Sequence, residues 1–231
     1  MSLSVSGHLS YQIANTPRRD FPYPHLYVES PFPRAFYDRL LALLPEDACY
    51  QEIAATGRVS SGSYPARHVI DFQRRGLSRL PPSQAVFWQA LYDELTQPEL
   101  LKLLFDKFDL HYHGPIRCSA LLSRDRHGYA IGPHTDHVAK LITLLFYLPK
   151  DRRWSHLGTT LYRPVRPLAD DERDQHHPPG SEGFQALYTV PYRPNTLLAF
   201  ARRDDSFHGV EPITDPDVHR DVFIFNVLKH I

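Results

Sequence analysis

The sequence predicts a mostly β domain supported by a few N-terminal helices, and three features carry that expectation. From Ile116 onward, eight short apolar runs are separated by turn signals, the rhythm of two packed sheets or a squashed barrel. Before that point, apolar residues recur at helical spacing in three stretches. Proline, 21 of 231 residues, favours turns and strand borders over long helices. This length suits one domain, with residues 1–110 as a strand and supporting helices and 111–231 as the β core.

Residues 1–30 read as an irregular lead followed by one strand, His25 to Glu29. A helix is expected from about Pro33 to Leu44, because Phe36, Leu40, Leu43 and Leu44 form one stripe. Pro31 and Pro33 suit its start and Pro45 stops it. Residues 46–82 are polar, with Ser60-Ser-Gly-Ser63 and Arg74-Arg-Gly76 as loop signals and one short strand from Arg67 to Phe72. A second helix spans about Ser83 to Leu95, with Phe87, Leu91 and Leu95 on one face. Thr96-Gln-Pro-Glu99 has the pattern of a capping box and is expected to open a third helix through Phe105. These helices are expected to pack on one face of a sheet. The strands follow as Ile116–Ser123, the segment around His134, Leu141–Leu148, Gly158–Tyr162, Gln185–Val190, Thr196–Phe200, Gly209–Ile213 and Arg220–Leu228.

Lys plus Arg equals Asp plus Glu, so the formal charge is zero. No global field draws the chain to nucleic acid or anionic lipid, and neither is expected as a partner. The longest apolar run is far short of the ~20 residues of a membrane span. The first residues have neither a basic nor an apolar signal region. Cys49 and Cys118 make no disulfide framework or zinc-knuckle spacing, so reduced thiols in a cytoplasmic protein are expected.

The chemistry concentrates in Tyr129-Ala-Ile-Gly-Pro-His-Thr-Asp136. On an extended chain, positions two apart project to the same face. His134 and Asp136 can therefore reach one metal ion together, and Pro133 suits the first residue or edge of a strand. The candidate third ligand is His208, in the tight segment Ser206-Phe-His-Gly-Val210. Two histidines and one carboxylate leave half an octahedron open, as in non-haem Fe(II) oxygenases. Zn²⁺ takes the same donors, and the spacing admits it. His111 and His113 repeat the spacing without a third ligand. His176 and His177 fall in the charged segment 163–182, read as a solvated loop or a lid.

Arg220 opens the last run. By alternation it shares a face with Val222, Ile224, Asn226 and Leu228, opposite Asp221, Phe223, Phe225 and Val227. A guanidinium on such a face needs an anionic partner, and its fork of donors matches a carboxylate. The bland alternative is a surface ion pair with Asp217 or Asp221. On the preceding strand Leu141, Thr143, Leu145 and Tyr147 share a face.

The order His134-x-Asp136, a long interval, His208, then Arg220 on the next strand resembles the 2-oxoglutarate- and Fe(II)-dependent dioxygenases. The likeness is greatest to their prolyl-hydroxylase-like branch and covers about Ile116 to Leu228. It implies a double-stranded β-helix, a form of jelly roll, with iron on His134, Asp136 and His208. It further implies 2-oxoglutarate as co-substrate, with Arg220 holding the distal carboxylate and Tyr147, Thr143 and Asn226 assisting. O₂ and, as an accessory reductant, ascorbate complete the small molecules expected. The activity implied is hydroxylation of a C–H bond, on a protein prolyl residue or a small metabolite, with release of succinate and CO₂. The tyrosine that many members carry about ten residues before the metal-pair histidine is Arg124 here, and its role is not transferred. Rival readings are a zinc- or iron-dependent cupin-like isomerase or hydrolase, and a non-catalytic jelly roll that binds sugar or peptide.

Overall fold

The computed structural model describes residues 5–169, 172 and 175–230. Among the described residues, eleven strands form two antiparallel sheets, with helices against the larger one. In chain order the described elements are α1 (Val5–Asn15), β1 (His25–Glu29), α2 (Arg34–Ala42), β2 (Gln51–Glu52), β3 (Arg67–Asp71), α3 (Pro82–Leu95) and α4 (Pro98–Lys107). There follow β4 (Ile116–Asp125), β5 (Ile131–His134), β6 (Lys140–Tyr147), β7 (Thr159–Pro164), β8 (Phe184–Val190), β9 (Thr196–Ala201), β10 (His208–Val210) and β11 (Arg220–Lys229). The large sheet runs β1-β9-β6-β11-β4-β3-β2 and the small one β5-β10-β7-β8. This is the double-stranded β-helix, and each of the eight expected core strands is present.

Both faces of the large sheet are covered, which explains why its strands read as nearly continuous apolar runs. On one face Phe223, Phe225, Val227, Leu144 and Phe146 pack with Leu40, Trp88, Leu91, Leu95 and Leu104 of the helices. On the other, Val222, Leu145, Tyr147 and Phe200 meet Leu161, Val190 and Val210 of the small sheet. The alternation expected for β11 therefore divides it between two cores. Among the described residues, no helix is long and apolar enough to cross a membrane.

Three local expectations are corrected. Residues 5–15, read as an irregular lead, are a helix that buries only Leu9 and Ile13. Its ends are held from far along the chain. Glu94 accepts from the Ser6 amide at 2.9 Å, and the Lys107 ammonium donates to the Ala14 and Thr16 carbonyls at 2.8 and 2.9 Å. A cation on the last carbonyls suits the negative end of the helix dipole, but no local pattern announces it. The capping box does not form either. The Thr96 hydroxyl donates back to the Asp93 carbonyl at 2.8 Å, closing α3, while α4 starts at Pro98 with no side-chain cap. Finally, the pairing of β6 with β11 slips between Val227 and Leu228, so that Val227 faces Ile142 and Leu228 faces Lys140. This bulge makes Leu141 the extra residue and reverses parity before it. Leu141 therefore joins the helix-side core, and Lys140 turns to the opposite face.

Candidate metal centre and its cavity

His134 ends β5 and His208 begins β10, and the two residues are directly paired across the small sheet. Gly209 allows this close pairing. A Cβ there would lie 2.5 Å from the Ile131 carbonyl oxygen and 2.9 Å from that of Gly132, both rigid backbone. Gly209→Ala is therefore expected to push β10 off β5 and separate the two histidines. Overpacking of this kind costs about 1–3 kcal/mol. Urea unfolding should show that loss, together with weaker Mn(II) binding in calorimetry.

One ligand atom from each of His134, Asp136 and His208 lies within 4.8 Å of the other two, and all three residues are buried. The supports around them fix which atoms face the centre. His134 Nδ1–H donates to the Gly132 carbonyl at 3.0 Å, and His208 Nδ1–H donates to the Ser206 carbonyl at 2.9 Å. A carbonyl cannot donate, so each Nδ1 carries the proton and each Nε2 keeps its lone pair. Burial lowers the proton affinity of both rings, that of His134 well below the ordinary histidine value, with His208 adding to it. Both are thus neutral near pH 7, the form that binds a metal.

Asp136 is held at both oxygens. Oδ1 is 2.5 Å from Lys140 Nζ, and Oδ2 accepts from the Thr143 hydroxyl at 2.6 Å. Burial alone would raise its pKa, but the Lys140 ammonium and these hydrogen bonds hold it below the ordinary carboxylate value. Two neutral imidazoles and one ionised carboxylate are a donor set that fits Fe(II).

Arg220 occupies the same cavity, which His134, Asp136, Lys140, Thr143 and His208 also line. Its guanidinium is buried and already engaged. Nε donates to the Leu157 carbonyl at 2.6 Å, NH1 to Asp125 Oδ2 at 2.8 Å and NH2 to Thr159 Oγ1 at 3.4 Å. The anionic partner inferred from the sequence is thus supplied within the protein by Asp125, at the end of β4, and not by Asp217 or Asp221. Asp221 instead pairs with Arg124 at 2.7 Å. Asp125 also accepts from Arg67 of β3, at 2.6 and 2.9 Å. Two guanidiniums therefore share one carboxylate across the β3-β4-β11 register.

Of the other expected contacts, Thr143 faces the cavity, but Tyr147 and Asn226 stand behind it. The Tyr147 hydroxyl donates to Thr159 at 2.8 Å. The Asn226 amide lies 3.1 Å from the Thr143 hydroxyl and 3.4 Å from that of Ser119. Arg67, Tyr129, Lys140 and Thr159 line the cavity and were not singled out from the sequence. The segment 163–182 is more than a solvated loop, although residues 170, 171, 173 and 174 lie outside the described ones. The His176 ring stacks on His134 with centroids 4.5 Å apart and planes at 17°, and its Nδ1 is 2.9 Å from the Tyr64 hydroxyl. The His177 amide donates to the Pro133 carbonyl at 3.0 Å. Gly132 permits this seat, since a Cβ there would meet the backbone of residues 177 to 179.

Fold and centre together define a double-stranded β-helix with a His-Asp-His cluster at one end. No family profile and no curated protein matches the sequence. Solved structures do match, 2-oxoglutarate-dependent enzymes among them. The non-haem α-ketoglutarate-dependent epimerase SnoN from nogalamycin biosynthesis shares 13% identity, over 97% of this chain and 83% of that one, with a TM-score of 0.55. A prolyl hydroxylase from Trichoplax adhaerens, bound to a hypoxia-inducible-factor peptide fragment, shares 12% over 97% and 89%, with a TM-score of 0.53. A 2OG-Fe(II) oxygenase family oxidoreductase from Burkholderia pseudomallei shares 12% over 97% and 90%, with a TM-score of 0.50. The fold of this chain is the 2-oxoglutarate/Fe(II) oxygenase fold.

Proposed function

We propose that the protein is a 2-oxoglutarate- and Fe(II)-dependent oxygenase that hydroxylates a small metabolite or a protein prolyl residue. The observation that carries this reading is the buried His134, Asp136 and His208 cluster in one cavity with Arg220. Bound iron, with 2-oxoglutarate and O₂, supplies the oxidation that releases succinate and CO₂ and hydroxylates the prime substrate. The chain's part is to bind, orient and exclude water. His134 and His208 offer Nε2, while Thr143 and Lys140 fix the plane of the Asp136 carboxylate. Arg220 takes the distal carboxylate of 2-oxoglutarate, while Arg67 holds Asp125 from the other side. Tyr147 acts through Thr159, whose hydroxyl also lies against Arg220. Asn226 acts through Thr143. One protein of this fold is bound to a peptide fragment and another comes from nogalamycin biosynthesis, so both substrate sizes suit the scaffold. The two unpaired thiols, Cys49 and Cys118, suit a reducing compartment such as the cytoplasm.

Succinate should appear when the purified chain is given Fe(II), 2-oxoglutarate, ascorbate and O₂, and its yield should rise with the true substrate. Zn(II) in place of Fe(II) should give none. Succinate that never exceeds the protein-free control, across a panel of peptides and metabolites, would return the cupin-like and lectin-like readings. The segment around His176 is expected to act as a lid. Amide exchange at residues 175–177 should slow when Mn(II), a 2-oxo acid analogue and substrate are all present. Exchange already at its slowest in the free protein would make the segment a fixed insert.

A further inference from the structure

The charge of the loaded cavity bears on the unknown substrate. Arg67, Arg220 and Lys140 face two carboxylates, Asp125 and Asp136, and the two histidine ligands are neutral. A divalent metal and a dianionic co-substrate cancel each other, so one positive charge remains in a site of low dielectric, where it acts strongly. The excess sets the sign of what completes the site, and unclaimed donors set the place. The Tyr129 hydroxyl is buried and has no hydrogen-bond partner among the described residues, yet Tyr129 lines the cavity. Leaving a buried hydroxyl unpaired is costly. The Arg67 guanidinium carbon lies 4.2 Å from the centroid of the Tyr129 ring. Arg67 spends Nε and NH2 on Asp125, and no described residue engages NH1. The Arg67 side chain is 15% exposed against 2% for Arg220, so Arg67 stands nearer the mouth and Arg220 on the floor. Lys140, the third cation, remains on Asp136.

We propose that the prime substrate carries a carboxylate, and that Arg67 NH1 and the Tyr129 hydroxyl bind it beside the metal centre. This rests on the oxygenase reading above and narrows its substrate class to compounds that carry a carboxylate.

The test uses the full chain loaded with Mn(II) and N-oxalylglycine, an unreactive 2-oxoglutarate analogue. Calorimetry then compares N-acetyl amino acids with their own carboxamides, across small, aliphatic and aromatic side chains. For at least one pair the acid is expected to bind roughly tenfold or more tightly than the amide, the scale of a charge-assisted hydrogen bond. Tyr129→Phe and Arg67→Gln should each erase most of that preference, while N-oxalylglycine affinity changes far less. Tyr129→Phe removes a hydroxyl with no partner among the described residues, so its folding is not at stake. In Arg67→Gln, Asp125 keeps Arg220. A panel in which no acid outbinds its amide overturns the proposal, as does a preference that survives both substitutions. An equal loss of N-oxalylglycine affinity in the variants also overturns it, because the two residues then belong to the co-substrate. A wild-type chain that takes up neither Mn(II) nor N-oxalylglycine fails the oxygenase reading itself, before any acid is added.

Discussion

His208→Ala and His134→Ala are each expected to abolish Mn(II) and Fe(II) binding, and succinate formation with it. Each removes one of three protein donors at a buried centre, and water admitted in its place is neither held nor oriented. Losing a support behind a ligand typically weakens metal binding by about 10–100-fold, and losing a ligand should exceed that. Thr143→Val supplies the comparison, since it removes the hydroxyl that holds Asp136 Oδ2 and touches Asn226, but no ligand atom. Its expected loss lies within the outer-support range. Thermal unfolding gives a second readout. A metal held at 100 times its dissociation constant adds about 2.7 kcal/mol to the folded state, and this increment should vanish in both histidine variants. Unchanged metal stoichiometry in either variant would remove the cluster as the binding site.

What the sequence made legible was whatever alternation or helical spacing could encode. Strand β11 places Arg220, Val222 and Ile224 in the cavity lining and Phe223, Phe225 and Val227 against the helices, as period-two reading requires. The same rule failed at Leu141, because one bulge reverses the parity of everything before it. Helix α1 escaped for a different reason. Two buried residues make a weak stripe, and its end groups come from Glu94 and Lys107, about ninety positions away.

The candidate site divides along the same line. His134, Asp136, His208 and Arg220 were legible because residue type, strand parity and order identify them together. Asp125, Arg67 and His176 were not, since their roles arise only from sheet register and loop docking. Arg67 reaches Asp125 because β3 pairs with β4 in one register. His176 reaches His134 because Gly132 leaves room for the loop backbone. Nothing local to either sequence segment carries that information. The unpaired Tyr129 hydroxyl is likewise a property of its surroundings and not of its neighbours in the chain.

Arg220→Lys should weaken 2-oxoglutarate binding by about 1.5–3 kcal/mol, the range for hydrogen bonds to charged groups, which is roughly 10- to 150-fold. The charge survives this substitution but the fork does not. One planar group now reaches the Leu157 carbonyl, Asp125 and Thr159 together, and a single ammonium cannot span all three while presenting a flat edge to a carboxylate. Arg220→Ala removes the charge as well, and its loss of affinity should be the larger. Breaking a buried ion pair usually costs about 3–5 kcal/mol because a charge is stranded. Here Asp125 retains Arg67 at 2.6 and 2.9 Å, so the cost to folding should fall below that range and the variant should remain folded. Metal affinity should change little in either protein, since Arg220 is no ligand. Calorimetric titration of 2-oxoglutarate into the Mn(II)-loaded variants reads the first effect, and urea unfolding the second. If both variants bind 2-oxoglutarate as tightly as wild type, the distal carboxylate does not rest on Arg220. The doubly held Asp125 would then be a structural pair of the sheet and nothing more.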